Sequence, residues 1–311
     1  MRRLYMILLA FTALCCCLSH GCASWRDDVS QVNKKMVKVD GIDISYEEYG
    51  QGDVILFVHG FGASAYSWRR VAISLANNGW RCISLDLMGF GCSAKPRDAS
   101  YTMERQAELI RLFAAAVEIP SVHLVGHSYG GGACLVLLTD LMREDHPRPT
   151  IRSLTLADTV CYPQKFPGFI KILRTPLINW MSLNLVPAKT SAKSILELCY
   201  YDQDKITEES IIEYAKGPAM PGGHEALVAT ARNIIPDNMA QLLESYKRIK
   251  IPTLIIWGDH DKIIPLEFGK RLAKEIPSAS LKVFSDCGHV PQEEFSEKTG
   301  EEIRSFLRRL R

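Results

Sequence analysis

Net charge is the first thing this sequence lacks. Its 37 lysines and arginines stand against 35 aspartates and glutamates, a formal charge of +2. Arg2 and Arg3 account for that excess, because no acidic residue precedes Asp27, and the remaining 35 of each sign cancel. No electrostatic footprint for nucleic acid or another polyanion is left. Ordered cysteine spacing is also missing. Four of the ten cysteines lie within the first 22 residues, and the other six, Cys82, Cys92, Cys134, Cys161, Cys199 and Cys287, form no CxxC pair and no zinc or haem spacing. That excludes a disulfide scaffold and gives no metal or cofactor motif. Cys82 and Cys134 fall on strand and helix patterns as small core residues. Cys161 and Cys199 could pair in an oxidising compartment. There is no repeat and no low-complexity tract.

A run long enough to span a bilayer is absent too. The apolar stretch from Leu4 to about Leu18 has roughly 15 residues, against the ~20 a spanning helix needs. With two arginines before it and small residues after, it has the layout of a secretory signal. Ser19-His20-Gly21-Cys22 resembles a lipobox, with Cys15, Cys16 and Cys17 as rival attachment points. Residues 1–22 are therefore expected to be an export leader of lipoprotein type. The protein would then lie in the cell envelope, on the periplasmic or extracellular face, either anchored through lipidated Cys22 or freely secreted.

What is present is ordinary for a folded core: 47% hydrophobic and 23% charged residues in 311. A polar linker is expected over 23–34. Lys35–Val39 and Ile42–Tyr49, joined by Asp40-Gly41, predict a hairpin. Val54–Gly60 is apolar throughout, as in a strand buried on both faces. Further strand patterns, RCISLD, SVHLVG, IRSLTLAD, TLIIWG and LKVFSD, alternate with helices expected near Ala65, Met103, Gly130 and Pro265. EEFSEKTGEEIRSFLRRL predicts a closing amphipathic helix. Such alternation builds a mostly parallel sheet with helices on both faces, and its ligands bind outside the carboxyl ends of the strands. The rhythm fails over 161–250, where FIKILRTPLINWM, SAKSILELCYY and HEALVATARNII carry helical spacing. This stretch reads as a helical lid, between core segments 35–160 and 251–311.

Gly126-His127-Ser128-Tyr129-Gly130 matches G-x-S-x-G. A serine on so sharp a strand-to-helix turn takes a strained backbone and stands at a helix N-terminus, where developing negative charge is favoured. Side chains two residues either side are expected to collide with it, hence the glycines. His59-Gly60-Phe61-Gly62 follows the third strand, and the N–H groups of Phe61 and Tyr129 are candidates for an oxyanion hole. Asp86 is expected to hold the loop that ends at Ser93.

These motifs resemble those of the α/β-hydrolase superfamily, in the branch of lipases, esterases and meta-cleavage hydrolases. Asp86 to Ser93 is similar to its D-x-x-G-x-G-x-S loop, and Trp257–Pro265 and Cys287–Glu294 to its acid and histidine motifs. The resemblance covers about residues 35–310. It implies an eight-stranded α/β-hydrolase fold with the lid inserted after strand six, and a triad of Ser128, Asp261 and His289 in that order. The family's pattern selects Asp261, three residues before the Ile-Pro pair; Asp158 and Asp259 are rival acids. Serine in place of aspartate at the elbow argues against dehalogenase and epoxide hydrolase chemistry. The segment after His289, Val290-Pro291-Gln292-Glu293, lacks the aromatic residue usual in meta-cleavage hydrolases.

The implied activity is cofactor-free serine hydrolysis of small to medium-sized apolar esters through an acyl-enzyme. Lid aromatics Phe166, Phe169, Trp180, Tyr200 and Tyr201 are expected to shape the pocket. A thioesterase, a perhydrolase or a carbon–carbon hydrolase would use the same site. A ligand-binding receptor without turnover is the reading from another class.

Overall fold

The computed structural model describes residues 34–144 and 148–310. The expected leader, lipidated Cys22 and linker up to Asn33 lie outside these residues. Lys34, assigned above to the linker, already belongs to the first strand.

Eight strands form one sheet: β1 (Lys34–Val39), β2 (Ile42–Tyr49), β3 (Asp53–Val58), β4 (Trp80–Leu85), β5 (Ser121–His127), β6 (Thr150–Ala157), β7 (Thr253–Gly258) and β8 (Ala279–Phe284). Their order is β1-β2-β4-β3-β5-β6-β7-β8. β2 runs antiparallel to β1 and β4, and the remaining neighbours are parallel. Asp40 (φ 48°) and Gly41 (φ 78°) supply the two positive φ angles that the β1–β2 turn needs.

The continuous apolar runs follow from burial on both faces. In β3, Ile55 and Phe57 enter one core while Leu56 and Val58 enter the other. β7 divides likewise, with Leu254 and Ile256 on the first side and Ile255 and Trp257 on the second. Helix α1 (Arg69–Ala76), which follows a 3₁₀ turn at Ala65–Trp68, packs on the first face through Val71, Ala72 and Leu75. The other face carries α2 (Met103–Ala116) and α3 (Ser128–Leu141). Thr102 caps α2 by accepting the Arg105 N–H at 3.2 Å. Each fully buried leucine or isoleucine of these layers is worth ~1.5–3 kcal/mol.

Among the described residues, no strand lies between β6 and β7. Six helices do: α4 (Gly168–Arg174), α5 (Ile178–Leu185), α6 (Ala188–Cys199), α7 (Glu208–Ala219), α8 (Gly223–Arg232) and α9 (Met239–Ser245). Pro176 and Leu177 (φ 66°) split the stretch expected as one helix, FIKILRTPLINWM, into α4 and α5. α7 and α9 were not legible as periodic segments. The insert leaves and returns on neighbouring strands, since the Asp158 N–H donates to Ile256 O at 3.1 Å. Thr139 on α3 and Ser245 on α9 pair their hydroxyls at 2.8 Å, and Tyr246 donates to Cys161 O at 2.7 Å. The chain closes with α10 (Leu266–Glu275), α11 (Pro291–Glu294) and α12 (Ser296–Arg308).

The pairing considered for Cys161 and Cys199 is not formed. None of the six described cysteines is in a disulfide. Cys161 packs beside Tyr162 and Tyr246, whereas Cys199 ends α6 against the His289 loop, and burial pushes both thiols up, away from the thiolate. No helix among the described residues is long and apolar enough to cross a membrane.

Candidate active site

Ser128 is the first residue of α3, two positions earlier than the helix pattern suggested. The chain enters from His127 in extended backbone (φ −112°, ψ 135°) and Ser128 itself sits at φ 52°. That left-handed value is uncommon for a residue with a Cβ. The flanking glycines have a different cause from the one expected. A Cβ at Gly126 would stand 2.6 Å from Gly131 Cα, and one at Gly130 would stand 2.3 Å from His59 O. The elbow is therefore tight against the helix and the neighbouring strand, not against the serine. Gly131 serves packing, since a Cβ there would lie 2.3 Å from Thr159 Oγ1.

From Ser128 a chain of hydrogen bonds runs inward. Its Oγ is 2.9 Å from His289 Nε2, and His289 Nδ1 is 2.8 Å from Asp261 Oδ2. The other Asp261 oxygen accepts the N–H groups of Ile263 (2.7 Å) and Ile264 (3.0 Å), which fixes the carboxylate. The rival acids are placed elsewhere. Asp259 bonds His260 at 2.6 Å on a part-exposed rim. Asp158 is fully buried, and its Oδ1 accepts the Gly258 N–H at 3.0 Å. Its Oδ2 has no partner among the described residues. Burial, then the neighbouring Asp261 carboxylate, pushes Asp158 well above the ordinary carboxyl range. Asp158, Asp261 and His289 bring ligand-type atoms within 4.8 Å of one another, and apart from Asp158 Oδ2 the carboxylate oxygens and His289 Nδ1 are already engaged by amides and by each other.

The turn facing Ser128 is built on neutral histidine. His59 donates from Nδ1 to Gly60 O (2.7 Å) and accepts the Leu87 N–H at Nε2 (3.0 Å). Burial holds its pKa below the usual value. The Phe61 amide forms no hydrogen bond among the described residues, and Tyr129 lies in the first turn of α3, where N–H groups have no intrahelical acceptor. Both residues line the same pocket as Ser128. Asp86 holds its loop as expected: its carboxylate accepts the amides of Ala65 (2.7 Å) and Cys92 (2.8 Å), and Ser93 donates to its carbonyl at 2.6 Å.

Above Ser128 opens a pocket of about 360 Å³ whose wall contains no Lys, Arg, Asp or Glu. Phe166 and Phe169 line it, as expected for the insert, but the other three aromatics do not. Trp180 points to solvent, Tyr200 packs with Leu196, Ile211 and Val290, and Tyr201 stacks on His260 with ring centroids 4.2 Å apart. Tyr214 and His224 take part instead.

A model of the alpha/beta hydrolase family matches residues 55–301. The chain belongs to this family. This α/β-hydrolase is 27% identical over 288 residues to Lipase 1 of Psychrobacter immobilis, covering 88% of this chain and 83% of that one. It is 29% identical over 274 residues to the 2-hydroxymuconate semialdehyde hydrolase of Pseudomonas sp. strain CF600, covering 86% and 91%. Among solved structures it is similar to a membrane phospholipase A described as a bacterial virulence factor, with a TM-score of 0.74 and 26% identity over 100% of this chain and 99% of that one.

Around the site of the hydrolase, three supports had no signal in the sequence. His127 donates from Nε2 to His289 O at 2.7 Å, and burial keeps its ring neutral, well below the ordinary value. The His289 N–H donates to Cys199 O at 2.6 Å, tying the loop to the end of α6. Glu294 accepts the amides of Gly288 (2.8 Å), Asp202 (2.8 Å) and Tyr201 (3.3 Å). A histidine inside the elbow and a glutamate five residues after His289 were the only hints. Apart from Gly288, their partners are backbone groups far away in the chain.

Proposed function

We propose that this hydrolase cleaves neutral esters of apolar, small to medium-sized acids through a serine acyl-enzyme. The carrying observation is the Ser128–His289–Asp261 hydrogen-bond chain opening into a pocket with no Lys, Arg, Asp or Glu in its wall. His289 Nε2 takes the proton of Ser128 Oγ as the oxygen attacks the ester carbonyl. Asp261 keeps the imidazole in the tautomer that presents a bare Nε2, and it stabilises the imidazolium that forms. The amides of Phe61 and Tyr129 receive the oxyanion. The imidazolium then protonates the leaving alcohol. A water deprotonated by His289 attacks the acyl-enzyme and returns the free serine. The names lipase and phospholipase among the matched proteins agree with an acyl ester substrate.

Carbon–carbon cleavage is the second reading, favoured by the similarity to the semialdehyde hydrolase. An uncharged wall supports the ester instead, because an acidic dienoate would enter with its carboxylate unpaired. Two measurements decide. A fluorophosphonate probe should label wild type and not Ser128→Ala; equal labelling removes Ser128 as nucleophile. A panel of p-nitrophenyl esters of two to twelve carbons should then be turned over faster than vinylogous dienone acids; the reverse order removes the ester reading.

A further inference from the structure

Helix α5 presents the wrong residues to water. From Leu177 to Leu185, Asn179 is buried and Ser182 and Leu183 turn toward the pocket, yet the outward face carries Leu177, Ile178, Trp180, Met181 and Leu185, with Asn184 its one polar side chain, folded back to donate to Trp180 O. Leu177 is 69%, Trp180 57% and Leu185 64% exposed. A surface helix ordinarily places charged and polar side chains there. Here no charged residue occurs between Arg174 and Lys189. The face is firmly held: Asn179 Nδ2 donates to Leu173 O at 3.0 Å, fixing α5 to α4. Leu177 keeps its left-handed backbone at φ 66°.

The apolar surface does not stop at α5. Ile172, Val186 and Ile235 are exposed and also line the pocket above Ser128, so the patch runs into its mouth. The segment that carries it is charged with one sign. Between Asp158 and Glu197 there is no acidic residue, while Lys165, Lys171, Arg174, Lys189 and Lys193 are basic. Lys189 and Lys193 pair with Glu208 and Glu197, whereas Lys165 and Lys171 make no ion pair among the described residues. Apolar side chains with a tryptophan, rimmed by lysine, are the pattern of a helix lying at a membrane interface.

We propose that the α4–α5 face docks on an anionic phospholipid surface, with α5 at the headgroup boundary and the pocket mouth turned toward the bilayer. A second copy fits less well. A two-fold contact would set this face against itself and bring like charges together. Docking goes beyond ester cleavage and needs no turnover, so the two readings fail separately.

The test uses the purified full chain and vesicles whose acyl chains carry bromine, a contact quencher of tryptophan. Trp68, Trp80 and Trp257 are fully buried, which leaves Trp180 as the exposed tryptophan among the described residues. Comparison of wild type with Trp180→Phe cancels any contribution of Trp25. Phosphatidylglycerol vesicles should quench wild type, with most of the quenching gone in Trp180→Phe, and added salt should weaken it. Leu177→Asp with Leu185→Asp, both exposed, should lower vesicle partitioning by roughly tenfold or more while circular dichroism is unchanged. Equal quenching of wild type and Trp180→Phe overturns the proposal. So does equal quenching by phosphatidylcholine vesicles, or lipid-free shielding of Trp180 from acrylamide in a dimer or by the chain's own N-terminal residues. Hydrolysis of a soluble acetate ester in the same samples reports the chemistry independently.

Discussion

Replacing Glu294 by alanine removes one buried carboxylate from three backbone amides on two segments that meet at the His289 loop. The bonds to Gly288 and Asp202 are both 2.8 Å, and the one to Tyr201 is 3.3 Å. Hydrogen bonds to a charged group contribute ~1.5–3 kcal/mol each, so the two short ones amount to about 3–6 kcal/mol. Water entering the vacated space offsets part of that, leaving an expected loss of about 3–5 kcal/mol, a large fraction of the ~5–15 kcal/mol of a whole domain. Gly288 immediately precedes His289, so the imidazole also loses a restraint on its approach to Ser128. A displacement of about 1 Å costs ~10² in rate. Urea unfolding should show the lower midpoint, and p-nitrophenyl butyrate hydrolysis the fall in kcat. Glu294→Gln should recover part of the stability, because it keeps one acceptor oxygen but turns an NH₂ toward the remaining amides. Stability within ~0.5 kcal/mol of wild type together with unchanged kcat would refute the clamp.

Asp261→Asn should lower kcat by up to ~10⁴ by favouring the wrong imidazole tautomer, whereas Asp158→Asn should stay within about tenfold; equal losses would make Asp158 a partner of His289. Asp158 also carries a pH signature. Its folded-state pKa is raised, so the unfolded chain releases this proton first, and stability falls as pH rises from ~3.8 toward the folded value. The stability gained by Asp158→Asn, measured as Tm, should therefore grow from pH 4 to pH 8. His59 and His127 have the opposite sign: both are lowered, the unfolded chain binds protons first below pH ~6.5, and each should remove up to about 1.4 kcal/mol per pH unit as pH falls, read by urea unfolding at pH 7 and 5.5. Gly131→Ala places a methyl 2.3 Å from Thr159 Oγ1 and should cost ~1–3 kcal/mol, with Thr159→Ala, which removes that oxygen and the methyl beside it, relieving part of it.

The sheet was legible because β3, β5 and β7 are apolar on both faces, and no surface helix carries such runs. The elbow, the Asp86 loop and the order of acid and histidine were legible because turns and short motifs are local. Their reasons were less so. The glycines of the elbow answer to His59 O and Gly131, contacts made across strands. The insert hid two helices. α7 draws its start from a reciprocal Thr207–Ser210 cap and carries Gly217 and Pro218 near its end, which blurs its period. α9 is only seven residues long. The aromatics of the insert could not be sorted from sequence, since Trp180 outward and Phe169 inward depend on where Pro176 breaks the helix. Glu294 and His127 were visible as residues and silent as supports, because each binds a carbonyl or an amide from another segment.

Because β6 and β7 are adjacent and parallel, the roughly ninety residues between Asp158 and Pro252 leave beside Ile256 and return beside Leu154, both ends held by one pair of neighbouring strands. For the sheet they form a closed loop, and lengthening such a loop is thermodynamically inexpensive. Ser128, His289 and Asp261 all stand outside it. The pocket wall can therefore drift through insertions and deletions in one contiguous stretch of gene, provided the segment from Cys199 to Asp202 that braces the His289 loop is kept.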